Sequence, residues 1–198
     1  MSDSPDNDIG DIRFRAMQTG TVYDRNDPKN LGRVKITIPG LADGPSTGWA
    51  LPLGLGGGAR QRGLKFVPAQ GAEVAVFFKG GDPDAPYYLS SNWGVPGGTT
   101  EMPTDATGLS STDAPDVNCI ETARYKITID DRAASPGLRI VDKNSGDTIV
   151  FDGSSKTGPG ILIKGTASVF IQTDGAFIVE SSMVVINGRT LAEGSTQI

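Results

Sequence analysis

Histidine is absent from this chain of 198 residues, and cysteine occurs only once, at Cys119. Without histidine the chain lacks the usual general base, the usual proton shuttle and a common ligand of zinc and iron. A single cysteine forms neither a disulfide nor a cluster of thiolate ligands within one chain. Aromatic residues make up 7% of the sequence, and no run of about 18 apolar residues indicates a membrane-spanning helix. Most familiar hydrolytic mechanisms therefore lose a component.

Acidic residues outnumber basic ones, which gives a net charge of −5 and an isoelectric point near 4.7. Such a charge repels nucleic-acid backbones and anionic lipid. Residues 1–11 contain four aspartates among Ser, Pro and Asn. This composition buries too little apolar surface to fold by itself, so we expect a flexible acidic arm. The arm has no apolar signal-peptide segment, which predicts synthesis as a soluble protein in the cytoplasm.

Glycine occurs 27 times and proline 13 times, which favours short elements separated by turns and predicts an all-β fold. Within residues 12–94, the stretch LGRVKITI (31–38) alternates with a period of two, so Val34, Ile36 and Ile38 share one face. About five short strands in this span indicate a small Greek-key barrel of the OB type. Residues 49–53 form a short apolar element, and further strands are predicted at residues 73–78 and 86–90.

The rest of the chain changes character. Residues 95–118 are rich in Gly, Pro, Ser, Thr and Asp and predict a linker. Residues 119–198 contain short apolar clusters that recur about every 8 to 13 residues, separated by turn residues. The clusters lie at residues 125–129, 138–141, 148–151, 161–163, 169–171, 177–179 and 184–186.

One chain of this length is too thin to cover the apolar faces of its own stacked strands. We therefore expect several chains to wrap together into an intertwined β-helical shaft and tip over residues 119–198. The alternative is a seven-stranded sandwich, for which regular strand spacing is also expected. Which alternate set of side chains points inward stays open. The expected inward residues are Ile127, Ile129, Ile140, Ile149, Phe151, Ile161, Ile163, Phe170, Ile178 and Val185.

Three features suggest chemistry, and each has a structural explanation that we favour. The glycine-rich residues 54–58 lack the Lys-Ser or Lys-Thr of a phosphate-binding loop, which indicates an interface loop. Residues 142–147 resemble a calcium loop but lack its distal glutamate, which indicates a hairpin turn. The acid pairs at residues 82 and 84 and at 130 and 131 sit among turn residues, so we expect solvated corners. The sequence thus supplies no catalytic, cofactor-binding or metal-binding residue, and we expect no enzyme and no cofactor.

A basic and aromatic cluster offers a competing function. Arg60, Arg62, Lys65 and Phe66 lie close together in the sequence. An OB barrel with such a cluster can bind single-stranded nucleic acid by stacking and by phosphate contacts. The acidic arm and the net negative charge oppose this alternative, and we expect no nucleic-acid partner.

Several phrases, in order, carry a resemblance to a known family. They are GTV (20–22), NDP (26–28), LGRVKITIP (31–39), WA (49–50), RGLKFVP (62–68), GAEVAVF (71–77), GDPDAP (81–86) and Trp93. In this order and spacing they resemble the baseplate assembly protein V and central spike family of contractile phages, related to the base of the type VI secretion spike. The later phrases KITIDD (126–131), GLRI (137–140) and SGDTIV (145–150) resemble the strands that open the family's trimeric shaft.

The resemblance implies a homotrimeric structural protein of the virion baseplate, assembled in the cytoplasm of the bacterial host. Its OB barrel would dock on the baseplate hub, and its shaft would transiently contact and pierce the host outer envelope. The linker is too short for the lysozyme domain of some relatives, and the chain lacks the His-x-His iron site of others. Residues 187–198 would therefore close the shaft, or a separate tip protein would cap it. Phage, bacteriocin and secretion machine all stay open.

Overall fold

The structure is a computed structural model that describes residues 16–41, 47–54, 56, 58–90, 93–153, 160–181, 183–186 and 189–191. These residues form strands and short 3₁₀ turns without an α-helix, which confirms the all-β prediction. No helix in this part of the chain is long and apolar enough to cross a membrane. The expected arm (1–11) and the last residues of the expected tip lie outside the described residues. The chain divides into two compact units, Met1–Met102 and Pro103–Ile198.

The first unit is a five-stranded sheet with the strand order β2-β1-β4-β5-β3. Its strands are β1 (Gln18–Asp24), β2 (Lys35–Thr37), β3 (Leu51–Pro52), β4 (Glu73–Phe78) and β5 (Pro86–Ser90). β3 pairs with β5 in parallel, and the other pairs are antiparallel. Beside the two edge strands, Val34 and Ala50 exchange backbone hydrogen bonds of 3.2 and 2.8 Å. This bridge links the two edges, so the sheet curls into an OB-like half-barrel.

Alternation along β2 fills the core of this half-barrel. Val34, Ile36 and Ile38 are at most 2% exposed, which confirms the face predicted from their spacing. Val74 and Val76 of β4 pack into the same core. Gly20 makes the close approach of β1 to β2 possible, because a Cβ there would lie 2.8 Å from Thr37 O and against the Ile36 side chain.

The β1–β2 loop is organised by one buried carboxylate. Asp27 accepts hydrogen bonds from the amides of Lys29 (3.0 Å) and Leu31 (2.7 Å). It also accepts two from the Arg33 guanidinium, at 3.1 and 2.5 Å. The hydrogen bond from Arg33 holds the pKa of Asp27 well below its ordinary value. The NDP and LGRV phrases are therefore the two halves of one folded loop.

The second unit is an antiparallel meander with the strand order β10-β9-β8-β7-β6. Its strands are β6 (Val117–Glu121), β7 (Tyr125–Asp130), β8 (Gly137–Asp142), β9 (Thr148–Asp152) and β10 (Gly160–Lys164). A separate hairpin joins β11 (Val184–Ile186) and β12 (Arg189–Leu191).

The structure differs from the sequence prediction at several places in and after the expected linker. β6 begins at Val117, and short 3₁₀ turns occupy Pro96–Gly98, Thr104–Ala106 and Ala114–Asp116. The clusters at 169–171 and 177–179 are not assigned as strands. A strand needs the backbone groups of a neighbour, and within one chain no described strand pairs with these two clusters.

Tyr88 provides a test of the first unit. Its hydroxyl donates a hydrogen bond of 2.7 Å to Gly32 O, and the residue is 2% exposed. We expect Tyr88→Phe to lower the free energy of unfolding by about 1–2 kcal/mol, because a buried carbonyl loses its partner. Urea unfolding followed by tryptophan fluorescence measures the change. Tyr87→Phe, at the less buried neighbour, is the control, and equal losses in both variants would contradict the role given to this hydrogen bond.

Candidate functional site

One surface of the β6–β10 sheet is continuously apolar. The register places Ile127 opposite Ile140 and Ile140 opposite Ile149. Because side chains alternate across a sheet, residues paired in this way lie on the same side of it. A second row of paired side chains lies two residues away along the strands and consists of Ile129, Leu138, Phe151 and Ile161. The apolar face consists of Ile120, Ile127, Ile129, Leu138, Ile140, Ile149, Phe151, Ile161 and Ile163.

The apolar face is largely open to solvent. The exposed fraction is 67% for Ile161, 57% for Ile163 and 44% for Phe151. Within the described part of this unit, each strand of the meander contacts its ladder neighbours, and no element forms a second layer over this face. Contiguous apolar surface of this size on a soluble protein marks an association site. All seven sheet residues that were expected to point inward lie on this one face.

The opposite face, which we call the polar face, carries charged side chains that pair with one another among apolar side chains such as Val141, Val150 and Leu162. Asp130 binds Arg132 at 2.8 Å and Arg139 at 3.8 Å. Asp105, carried by the Thr104–Ala106 turn, binds Lys126 at 2.6 Å and accepts a hydrogen bond from Thr128. These ion pairs are formed within one chain, whereas the described residues provide no cover for the apolar face.

The carboxylates of the polar face are stabilised as anions. The Arg132 hydrogen bonds lower the pKa of Asp130. Burial opposes ionisation of Asp105, but the hydrogen bonds from Lys126 and Thr128 outweigh it and lower the pKa. The expectation that the acid pair at 130 and 131 forms a solvated corner is wrong for Asp130, which is only 4% exposed. Its partner Arg139 lies on the neighbouring strand, and local sequence does not show that contact.

The other sequence candidates are accounted for by local structure. Residues 142–147 form the turn of the β8–β9 hairpin, with Gly146 at φ 78°. Asp142 there accepts hydrogen bonds from Arg124 at 2.9 and 2.7 Å, which lower its pKa to about 2. Asp82 caps a turn by accepting from the Asp84 amide at 2.9 Å. Among the described residues, no three His, Cys, Asp or Glu side chains form a group that could hold a metal ion.

The sequence also contains a regular repeat that the cluster spacing alone did not reveal. The apolar triplets ILI (161–163), VFI (169–171) and FIV (177–179) begin at intervals of eight residues. Phe170 and Ile178 therefore correspond to Leu162, which lies on the side of β10 opposite to Ile161 and Ile163. The triplets after β10 are strongly exposed, with Phe170 at 86% and Ile178 at 73%. Counting in steps of eight from β10 would have revealed this repeat.

The polar face predicts a pH dependence. The folded pKa of Asp130 is depressed, so its ion pairs stabilise the fold above the unfolded carboxyl pKa of about 4 and are lost as the pH falls through the folded pKa. We expect Asp130→Asn to be less stable than wild type at about pH 6, with the difference shrinking toward about pH 3. Thermal unfolding across this range measures it. Asp131→Asn, which leaves these ion pairs in place, is the control, and a difference independent of pH would refute the assignment.

The comparisons with known proteins agree with this architecture. Residues 18–93 match the family described as the type VI secretion system/phage-baseplate injector OB domain. The matched span contains all of β1–β5 and the Asp27–Arg33 loop. A comparison with curated proteins gave no match. Residues 18–93 therefore form an OB domain of the phage-baseplate and type VI secretion injector type, which supports the predicted resemblance to baseplate spike proteins.

Proposed function

We propose that three copies of this chain form the central spike of a contractile-tail baseplate. The OB domain docks on the hub, and the second unit forms a β-helical shaft that pierces the host envelope. The observation that carries the proposal is the uncovered apolar face of the β6–β10 sheet, on a chain whose other unit belongs to the injector family. The chain acts mechanically, and we assign it no catalytic step and no cofactor.

Burial of the apolar face supplies the driving force for association. A fully buried Ile, Leu or Phe side chain contributes about 1.5–3 kcal/mol, and this face carries nine such side chains. On the opposite side of each sheet, the ion pairs of Asp130 and Asp105 are already formed within one chain. Three sheets around a threefold axis, with their apolar faces inward, leave none of these faces in solvent.

The eight-residue repeat supports a continuation of the shaft beyond the sheet. The triplets at 169–171 and 177–179 have no ladder partner within the described chain. In a trimer, equivalent segments of the other two copies provide those partners, spaced by about 4.7 Å per layer. By the repeat, the residues equivalent to Ile161 and Ile163 point inward, in place of Phe170 and Ile178, which the sequence pattern alone suggests. These equivalent residues are Val169, Ile171, Phe177 and Val179.

The stiffness of the trimeric shaft would allow it to pierce the envelope. Interchain backbone ladders and buried apolar rows resist separation along the whole shaft. Such a trimer transmits the force of sheath contraction to the envelope without chemistry. It is assembled in the bacterial cytoplasm and becomes part of the tail baseplate.

Light scattering of the purified full chain tests the assembly. We expect a mass of about 62 kDa, three times the 20.6 kDa of one chain. We expect Ile163→Asp to shift the mass toward that of one chain, because the substitution places a carboxylate on the apolar face. Leu162→Asp is the matched control. Leu162 adjoins Ile163, is similarly exposed at 54% against 57%, and lies on the opposite side of β10.

Three results would contradict the proposed trimeric shaft. A wild-type mass of 20.6 kDa at micromolar concentration leaves a monomer with an exposed sheet. Equal disruption by both Asp variants shows that the association does not use the apolar face. A mass of two chains indicates a face-to-face sandwich of two sheets in place of the shaft.

A further inference from the structure

The basic and aromatic cluster of the first unit is not used by the shaft. It lies in the long loop between β3 and β4. Five exposed residues of this loop form what we call the outer loop surface. They are Leu53, Arg60, Arg62, Leu64 and Phe66. Leu53, Leu64 and Phe66 are 44%, 56% and 54% exposed. Large apolar side chains beside arginines, all in solvent, are the composition of a protein interface.

The loop packs on the barrel by alternate side chains. A Cβ on Gly32 would lie 3.4 Å from Lys65 Cε and 3.5 Å from Val67 Cγ2. Lys65 and Val67 therefore point toward the β1–β2 loop, and Val67 also packs against the core. In an extended segment the intervening residues point the other way. Leu64 and Phe66 are thus directed outward.

Two further contacts fix the loop in place. The Arg25 guanidinium donates a hydrogen bond of 3.2 Å to Val67 O. A Cβ on Gly54 would lie 3.5 Å from Leu64 O, so the end of β3 runs beside Leu64. The backbone after Leu53 therefore runs close to the backbone of Leu64. Contacts with Arg25, Gly32 and Gly54 therefore hold the backbone that carries the outward apolar side chains.

The charges of the loop are unpaired within the described residues. Arg60, Arg62 and Lys65 form no ion pair with any described residue. They stand out in a chain whose net charge is −5. A partner with carboxylates around an apolar depression would neutralise the arginines and cover the leucines together.

Single-stranded nucleic acid fits this surface less well. Binding of that kind needs successive aromatic rings on which bases stack, along a groove that follows the phosphates. Phe66 is the only ring of the outer loop surface, and leucines supply no stacking plane. Arginine, aromatic and leucine side chains in one patch suit a protein partner instead.

We propose that the outer loop surface binds an acidic protein surface with an apolar depression. Resting on the proposed function, that surface belongs to the baseplate hub. Phe66 and Leu64 enter the depression, and Arg60 and Arg62 pair with carboxylates at its rim. This assigns the docking of the OB domain to one side of the barrel, next to the Asp27 loop.

Binding of the purified full chain to the purified hub subunit of the same particle tests this, with affinity measured by calorimetry. We expect Phe66→Ala and Leu64→Ala each to weaken binding about tenfold or more, as for residues at an interface centre. Arg60→Glu with Arg62→Glu should slow association and weaken its dependence on salt. Light scattering should show an unchanged mass for these variants.

The controls lie at the other end of the barrel. Met17 precedes β1, whereas Arg25 follows it, and Met17 is 57% exposed. Lys79 follows the far end of β4. Met17→Ala and Lys79→Glu should bind the hub as wild type does.

The outcomes separate this inference from the proposed function. Wild-type binding that survives the loop substitutions overturns the outer loop surface and leaves hub docking in place. Absence of wild-type binding rejects hub docking itself, and this inference with it. Salt-sensitive binding of a single-stranded oligonucleotide that is lost in Phe66→Ala overturns the protein partner in favour of nucleic acid.

Discussion

The burial of one sheet face governs the second unit. The β6–β10 meander satisfies the hydrogen bonds between its strands and pairs the charges of its polar side, yet it leaves rows of isoleucine in water. Backbone pairing alone does not compensate for that exposure, because the net gain per hydrogen bond is small whereas apolar burial dominates folding. The unit is therefore complete in its ladder and incomplete in its core, and in the proposed trimer association supplies the missing half.

The first unit has the opposite character. The Val34–Ala50 bridge links the edges of its sheet, and its core of valines, isoleucines and Tyr88 is closed within one chain. The Asp27–Arg33 pair fixes the loop above that core, with Trp49 beneath the Arg33 guanidinium at 5.5 Å. A unit that needs no partner for its own stability can use its surface loops for recognition. The first unit thus closes its core within one chain, whereas the second leaves an apolar face uncovered.

Sequence reasoning predicted most of the strands because alternation and turn residues are local signals. The strands at 73–78 and 86–90 were placed to the residue, and the buried face of β2 followed from its spacing. The partners of each strand did not follow, since pairing depends on residues far apart in the sequence. Asp130 shows the same limit, because its burial depends on Arg139 from the next strand. From the sequence alone, either alternate set of side chains along each strand could have formed the apolar face. The strand register identified which set does.

Specific contacts mark the end of the β6–β10 ladder. Immediately after β10, the Thr166 amide and hydroxyl donate to Asp147 Oδ1 at 2.7 and 2.9 Å, which ties the chain to the β8–β9 turn. Gly165 permits the bend, because a Cβ there would collide with Ser168 O. Past this bend, the triplets at 169–171 and 177–179 pair with no strand among the described residues. In the proposed trimer, strands β6–β10 before the bend pair within one chain, and the triplets at 169–171 and 177–179 after it pair between chains. The Asp147–Thr166 contact then lies between the strands that pair within one chain and the triplets that pair between chains.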